Sequence, residues 1–274
     1  SSVSSGGQNI TFAEALGLDD QAGTNTFTIN SGAGNIDFNG LVSISDNNLT
    51  VSGSDIVDVN VGIQGTTGNI DFTTTTRTDV DAAIALTGAG TVTLDAADIS
   101  GFDITTVGGD ITFEGAVNLD SGAVALDTGD AAGGNITFDT TLDGTQDLTL
   151  GSGSGAILIS GLAGNTNTLG VVTIDEAANV TFNGLRAASL VQTTGTGTTT
   201  INTGDFTANP DQGIGTTAAA GVVINNNAIT VNDSIDTAGG GVVTLNATGG
   251  ALTIGASGDI VSDGAVALTA AGGI

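Results

Sequence analysis

Gly133-Gly134-Asn135-Ile136-Thr137-Phe138, followed nine residues later by Leu148-Thr149-Leu150, holds the pattern on which the rest of the chain is built. Successive side chains of an extended strand point to opposite faces. Ile136 and Phe138 therefore share one side and Thr137 takes the other. Two apolar groups face inward, and a β-branched polar residue, at ease in extended backbone, faces out. Gly133, Gly134 and Asn135 before the triplet, and Asp143-Gly144 beyond it, are turn formers that stop the strand and redirect the chain.

The phrase recurs as Asn9-Ile10-Thr11-Phe12, Asn35-Ile36-Asp37-Phe38, Asn69-Ile70-Asp71-Phe72, Asp110-Ile111-Thr112-Phe113 and Asn179-Val180-Thr181-Phe182. Aliphatic versions lie between the copies, among them Val92-Thr93-Leu94, Val124-Ala125-Leu126, Val172-Thr173-Ile174, Val243-Thr244-Leu245 and Leu252-Thr253-Ile254. About 27 such cores give roughly ten residues per core, a spacing typical of all-β folds. Helical periodicity is missing except at Phe12–Leu18, which reads as one capping turn.

The best-matched phrases stand 26 residues apart (Phe12 to Phe38), 25 apart (Phe113 to Phe138) and 24 apart (Phe182 to Phe206), and gaps of 41 and 44 are close to twice that. Such a period belongs to a solenoid. The expected fold is all-β: a right-handed parallel β-helix of roughly 20–25 residues per coil, with two or three short strands in each. Residues 1–274 form one repeat domain of about 11–13 coils, about 55–60 Å long at the strand-to-strand spacing. Phe12, Phe38, Phe72, Phe113, Phe138 and Phe182 are expected to point into the rod and to stack. Residues 1–20 are expected to form an N-terminal cap or strand, and 202–221, around Pro210, a protruding loop. The Thr-Gly-rich run 193–200 reads either as a linker or as a polar strand and turn.

Composition fits an ordered chain. Leu, Ile, Val and Phe make up 73 of 274 residues, or 27%, above the level of about 20% below which highly charged chains stay unfolded. A net charge of −27, with Arg77 and Arg186 the only basic residues, excludes phosphate-backbone binding, which needs clustered Lys and Arg. It also disfavours anionic membrane surfaces, and no apolar run is long enough for a transmembrane helix. Absence of cysteine removes disulfides and thiolate metal sites. The opening at Ser1 reads as a processed product or a segment of a longer polypeptide.

Gly133–Phe138 with the following Leu142-Asp143-Gly144-Thr145-Gln146-Asp147-Leu148-Thr149-Leu150 resembles the repeats of giant bacterial exoproteins similar to filamentous-haemagglutinin-like adhesins exported by two-partner secretion. The resemblance is compositional and runs along nearly the whole chain. It implies a right-handed parallel β-helix, secretion to the bacterial cell surface, and a role in adhesion or surface structure. The Asn-Pro-Asn-Gly-type signatures of that family's secretion domain are not in this sequence.

Catalysis has little to stand on. Without His, Lys, Trp or Tyr, a polysaccharide-active site of the kind β-helices carry would rest on paired carboxylates alone. No enzyme and no cofactor are expected. Calcium is the one ion the acid suits, at Asp19-Asp20, Asp55 with Asp58, Asp79 with Asp81, or Asp127 with Asp130. The bland alternative is solvated turn aspartates at the corners. Asn-x-Ser/Thr triplets begin at Asn9, Asn48, Asn135, Asn179, Asn232 and Asn246; these are glycan acceptors or stacked asparagine ladders. Three functions compete: a structural unit of an extracellular fibre, whose partners are copies of itself or further repeats of the same polypeptide; an adhesive module with a cell-surface or polysaccharide ligand; and a polysaccharide-active enzyme. Residues 260–271 read as an ordinary coil without a polar cap, which favours the first.

Because the acid sits beside turn residues, the fold is predicted to need no metal. Thermal unfolding with and without a calcium chelator should give the same midpoint; a large fall on chelation would make the carboxylates ligands.

Overall fold

The computed structural model describes residues 1–18, 23–73, 76–206 and 212–274. Among them there is no helix, and all strand pairs are parallel, stacked as a β-solenoid of about 12 turns. Each coil gives one short strand to each of three faces. The first face is a 12-stranded sheet running from Ser2–Ser4 through Ile111–Phe113 and Ile136–Phe138 to Leu252–Ile254. The second is a 7-stranded sheet from Ile10–Phe12 to Leu142–Gly144, and the third begins at Leu16–Gly17. Beyond Leu142 the second face continues through a bridge at Ala163 to Leu185. There the long strand Leu185–Gly195 turns onto the third face without a break, joining the two into a 15-stranded sheet.

The coil length follows from the ladder. On the first face Thr50, Asp71, Thr93, Thr112 and Thr137 are successive partners, at steps of 21, 22, 19 and 25 residues. The longest step on this face, 30 residues, separates Thr200 from Thr230. Most coils thus have the expected length, and the 41- and 44-residue gaps are two coils each. Leu94 lies between Phe72 and Phe113, and Ile159 between Phe138 and Phe182.

The triplet rule places the core. Along the first face Ile29, Val51, Phe72, Leu94, Phe113, Phe138, Ile159, Phe182, Ile201 and Val231 form one inward column, each wholly or almost wholly buried. Phe113 and Phe138 are adjacent rungs with rings 5.0 Å apart and 10° from parallel. The first two phrases, however, lie on the second face: Phe12 stacks on Phe38 at 5.3 Å in register. Phe38 then meets Phe72 at 6.2 Å across the interior, because they belong to different walls. Five of the six phenylalanines are fully buried; Phe12, in the first coil, is only partly covered.

Several polar side chains of the interior are paired at the corners. The buried hydroxyls of Ser31, Thr106, Thr128, Ser152 and Thr237 each donate to a carbonyl three to six residues on, at 2.5–3.1 Å. Where Gln192 interrupts the aliphatic column Leu150–Ile174–Ile224, its amide oxygen accepts from Thr199 at 2.6 Å, and Asn226 donates to the same hydroxyl oxygen at 2.9 Å. A buried polar group costs little once its partners are supplied.

Four expectations change. Phe12–Leu18 makes no helical turn: Ile10–Phe12 and Leu16–Gly17 are strands of an ordinary first coil, since side chains of alternate burial suit a wall better than a cap. Phe206 is not the next rung after Phe182, which pairs with Ile201. In the 202–221 segment, Gln212–Thr216 is a buried wall strand paired with Ser234–Thr237 and not a protrusion; Pro210 lies outside the described residues. The run 193–200 is no linker, since Leu185–Gly195 and Thr198–Ile201 are both ladder strands.

Replacing Phe138 by Ala should remove about 3–5 kcal/mol of stability through the cavity it leaves. The same change at Phe102, 41% exposed, should cost less than about 1 kcal/mol. Denaturant unfolding of the two variants checks the contrast.

Candidate functional site

Three features of this surface differ from a uniform wall: the ends, an outward column of aspartates, and a notch beside Arg186.

At the ends, inward positions lose their cover. Val266 continues the column of Val243, which is fully buried, yet Val266 is 48% exposed. Ile254, Ile260 and Leu268 are likewise only partly covered, as are Ile10, Phe12, Leu16 and Phe27 at the other end. Leu16, Leu18 and Phe27 line a hollow of about 280 Å³ there. The last strand of each face has a ladder partner on one side only, although Leu252 N–H still donates to Gly273 C=O at 3.1 Å.

On the second face Thr11, Asp37, Asp58, Asp79, Asp98 and Asn118 are successive outward partners. Four carboxyls therefore stack one rung apart. This departs from the expectation that acid keeps to corners. The near neighbours of Asp58 are Asp37 and Asp79, one coil away on either side, and not Asp55, which accepts from Thr76 at 2.5 Å. Arg77 holds the lower half, bonding Asp79 through Nε and, at 3.1 Å, Nη2, and approaching Asp98 at 3.2 Å. Asp58 has no such cation. Partial burial, and then the carboxyls of Asp37 and Asp79, push its pKa up to about 7. Among the described residues no group of three or more acidic side chains is arranged to hold a metal ion. Asp127 accepts from the Gly129 N–H at 2.7 Å, which ties it to its own turn. Asp19-Asp20 lies outside the described residues.

Asparagines tie coil to coil. Asn9, Asn48, Asn135 and Asn179 accept, through Oδ1, the backbone N–H of Asn35, Asn69, Ala156 and Thr198 in the next coil at 2.9–3.0 Å. Asn232 donates to Asn202, and Asn202 to Asn183; Asn246 donates to Asn225. All six triplet asparagines thus serve in inter-coil ladders.

The notch was not foreseen. Phe206 is fully buried outside the main core, in room left by Gly184 (φ +110°) and Gly204, where any Cβ would meet the ring or the facing glycine. The Arg186 guanidinium lies over that ring, Cζ 4.2 Å from its centroid, a cation–π contact. A register shift between Gln212 and Ile214 brings the Gln212 amide oxygen to accept from Arg186 Nε at 3.1 Å. The only sequence signal was the scarcity of arginine itself.

Comparison with protein-family models, with curated proteins and with solved structures finds no match for this chain. Its function therefore has to be argued from its own residues.

The aspartate column has a pH signature. Asp58 ordinarily titrates near 3.8, and its folded value of about 7 means the folded state favours the protonated form. That stability is present below about pH 4 and is lost as pH rises through 7. The protein should be more stable at pH 5 than at pH 8, by about 1 kcal/mol after solvent screening. Asp58→Asn should shrink that difference and raise the melting temperature at pH 8; a lower one would contradict the account.

Proposed function

We propose that this chain is a length of an extracellular bacterial surface fibre, a structural rod extended by coil-on-coil stacking. The observation that carries this reading is the uniform ladder, in which each coil is laid on the next by parallel pairing around one continuous core. Val266 sits in the column that buries Val243, and its strand pairs on one side only. A strand edge of this kind templates a further strand, whichever chain supplies it. The partner is another coil, from the same polypeptide or from a second copy; the geometry of the contact is the same.

The surface suits exposure outside the cell. Lysine is absent and arginine is limited to two positions, one of them, Arg77, engaged by Asp79 and Asp98. Few sites are left for proteases that cut after basic residues. The charge of −27 repels neighbouring rods side by side and leaves the apolar ends as the favourable contact. The core is continuous through every coil, as a load-bearing fibre requires. The repeat phrases that resemble giant secreted adhesins agree with a place at the bacterial surface.

The purified 274-residue chain should form linear particles as its concentration rises, in multiples of a unit about 55 Å long. Light scattering and electron microscopy read this directly. Val266→Asp, which puts a charge on an end face, should suppress it. A monomer at all concentrations would overturn the proposal.

A further inference from the structure

We propose that the notch beside Arg186 binds a hydroxylated carboxylate, one acidic sugar residue in size. The site lies on the wall and not at an end, so it is independent of fibre assembly.

The ladder builds the notch. On the outward side of the second face Arg186, Gly215 and Asp236 are successive partners. Gly215 has no side chain, and the Gln212 amide lies across it, 2.6–2.7 Å from where a Cβ would stand; beside that amide a cavity of about 330 Å³ opens between a cation and an anion. Arg186 and Asp236 are two rungs apart, roughly 9–10 Å along the rod. No carboxylate among the described residues lies within 4 Å of Arg186.

An arginine without a carboxylate partner is out of place in a chain with 29 acidic residues. It is also held still. Phe206 supports the guanidinium plane and Gln212, itself only 6% exposed, fixes Nε. Among the described residues its other nitrogens make no hydrogen bond. A planar fork fixed in this way matches a planar carboxylate. One guanidinium facing Asp236 in so acidic a chain favours a single negative charge over a dianion such as phosphate.

The rest of the lining calls for hydroxyl groups. Asp236 accepts hydrogen bonds, and Thr168, Gln212 and Thr217 give and take them. The volume is at the lower end of ligand sites, about 300–1,000 Å³, which fits one ring and not a chain of them.

Calorimetric titration of the whole chain with sodium glucuronate, glucose, acetate and glycine tests the proposal. Glucuronate should bind saturably, and at least about tenfold more tightly than glucose or acetate, since one loses the charged pair and the other the hydroxyls. Arg186→Gln should weaken glucuronate about tenfold or more without changing the melting temperature. Gly215→Val, a strand-favouring residue whose Cβ displaces the Gln212 amide and takes up the space beside the guanidinium, should abolish binding. If Arg186→Gln unfolds the wall, Gly215→Val decides. No binding of glucuronate, equal binding of glucose, tighter binding of glycine, or full binding by a folded Gly215→Val variant would each overturn the assignment.

Discussion

Backbone pairing between one coil and the next is the constraint under which every other feature falls. Ile111 N–H donates to Asn135 C=O at 2.9 Å, and Val92 N–H to Asp110 C=O at 2.9 Å; the same bond repeats along all three faces. Parallel rungs fix the vertical spacing, so a side chain meets the residue at its own position in the next coil. Like stacks on like: Phe on Phe, Asn on Asn, Asp on Asp. Apolar columns gain from this, and asparagine columns gain a bond per rung. The aspartate column is disfavoured by the same geometry, which Arg77 relieves at Asp79 and Asp98 and which raises the pKa of Asp58.

Much of this was legible in the sequence because strand alternation is a local rule. Ile136-Thr137-Phe138 states which side chains go in without reference to anything distant, and all six phenylalanines obey it, Phe12 with less cover than the others. The asparagine ladders were legible for the same reason. What a local rule does not state is which wall a phrase joins. Phe38 and Phe72 carry near-identical phrases, yet the first lies on the second face and the second on the first face. Their 34-residue separation is no whole number of coils, and corner lengths alone decide the assignment. Corner lengths are set by turns of glycine, serine and asparagine, whose sequence is permissive.

The notch was illegible for a different reason. Arg186, Gly215 and Asp236 come together only through register, at steps of 29 and 21 residues, and one partner is the absence of a side chain. The 24-residue gap from Phe182 to Phe206 imitates a coil while Phe206 in fact leaves the core to support Arg186. A rod whose interior is uniform keeps its fold while single rungs of its wall vary, so a binding site and a fibre place no conflicting demands on the chain.

Register is the claim from which the columns, the notch and the open ends all descend, and cysteine scanning measures it in a chain with no cysteine of its own. Thr112 and Thr137 are outward partners on adjacent rungs of the first face. Their Cα atoms lie one strand spacing apart, about 4.8 Å, within the span a disulfide bridges. Thr181 stands two further rungs on, through Leu158. A Thr112→Cys, Thr137→Cys double variant should cross-link within the chain on mild oxidation, and a Thr112→Cys, Thr181→Cys variant should not. Cross-linking of the distant pair with none of the adjacent pair would contradict the stacking on which the structure rests.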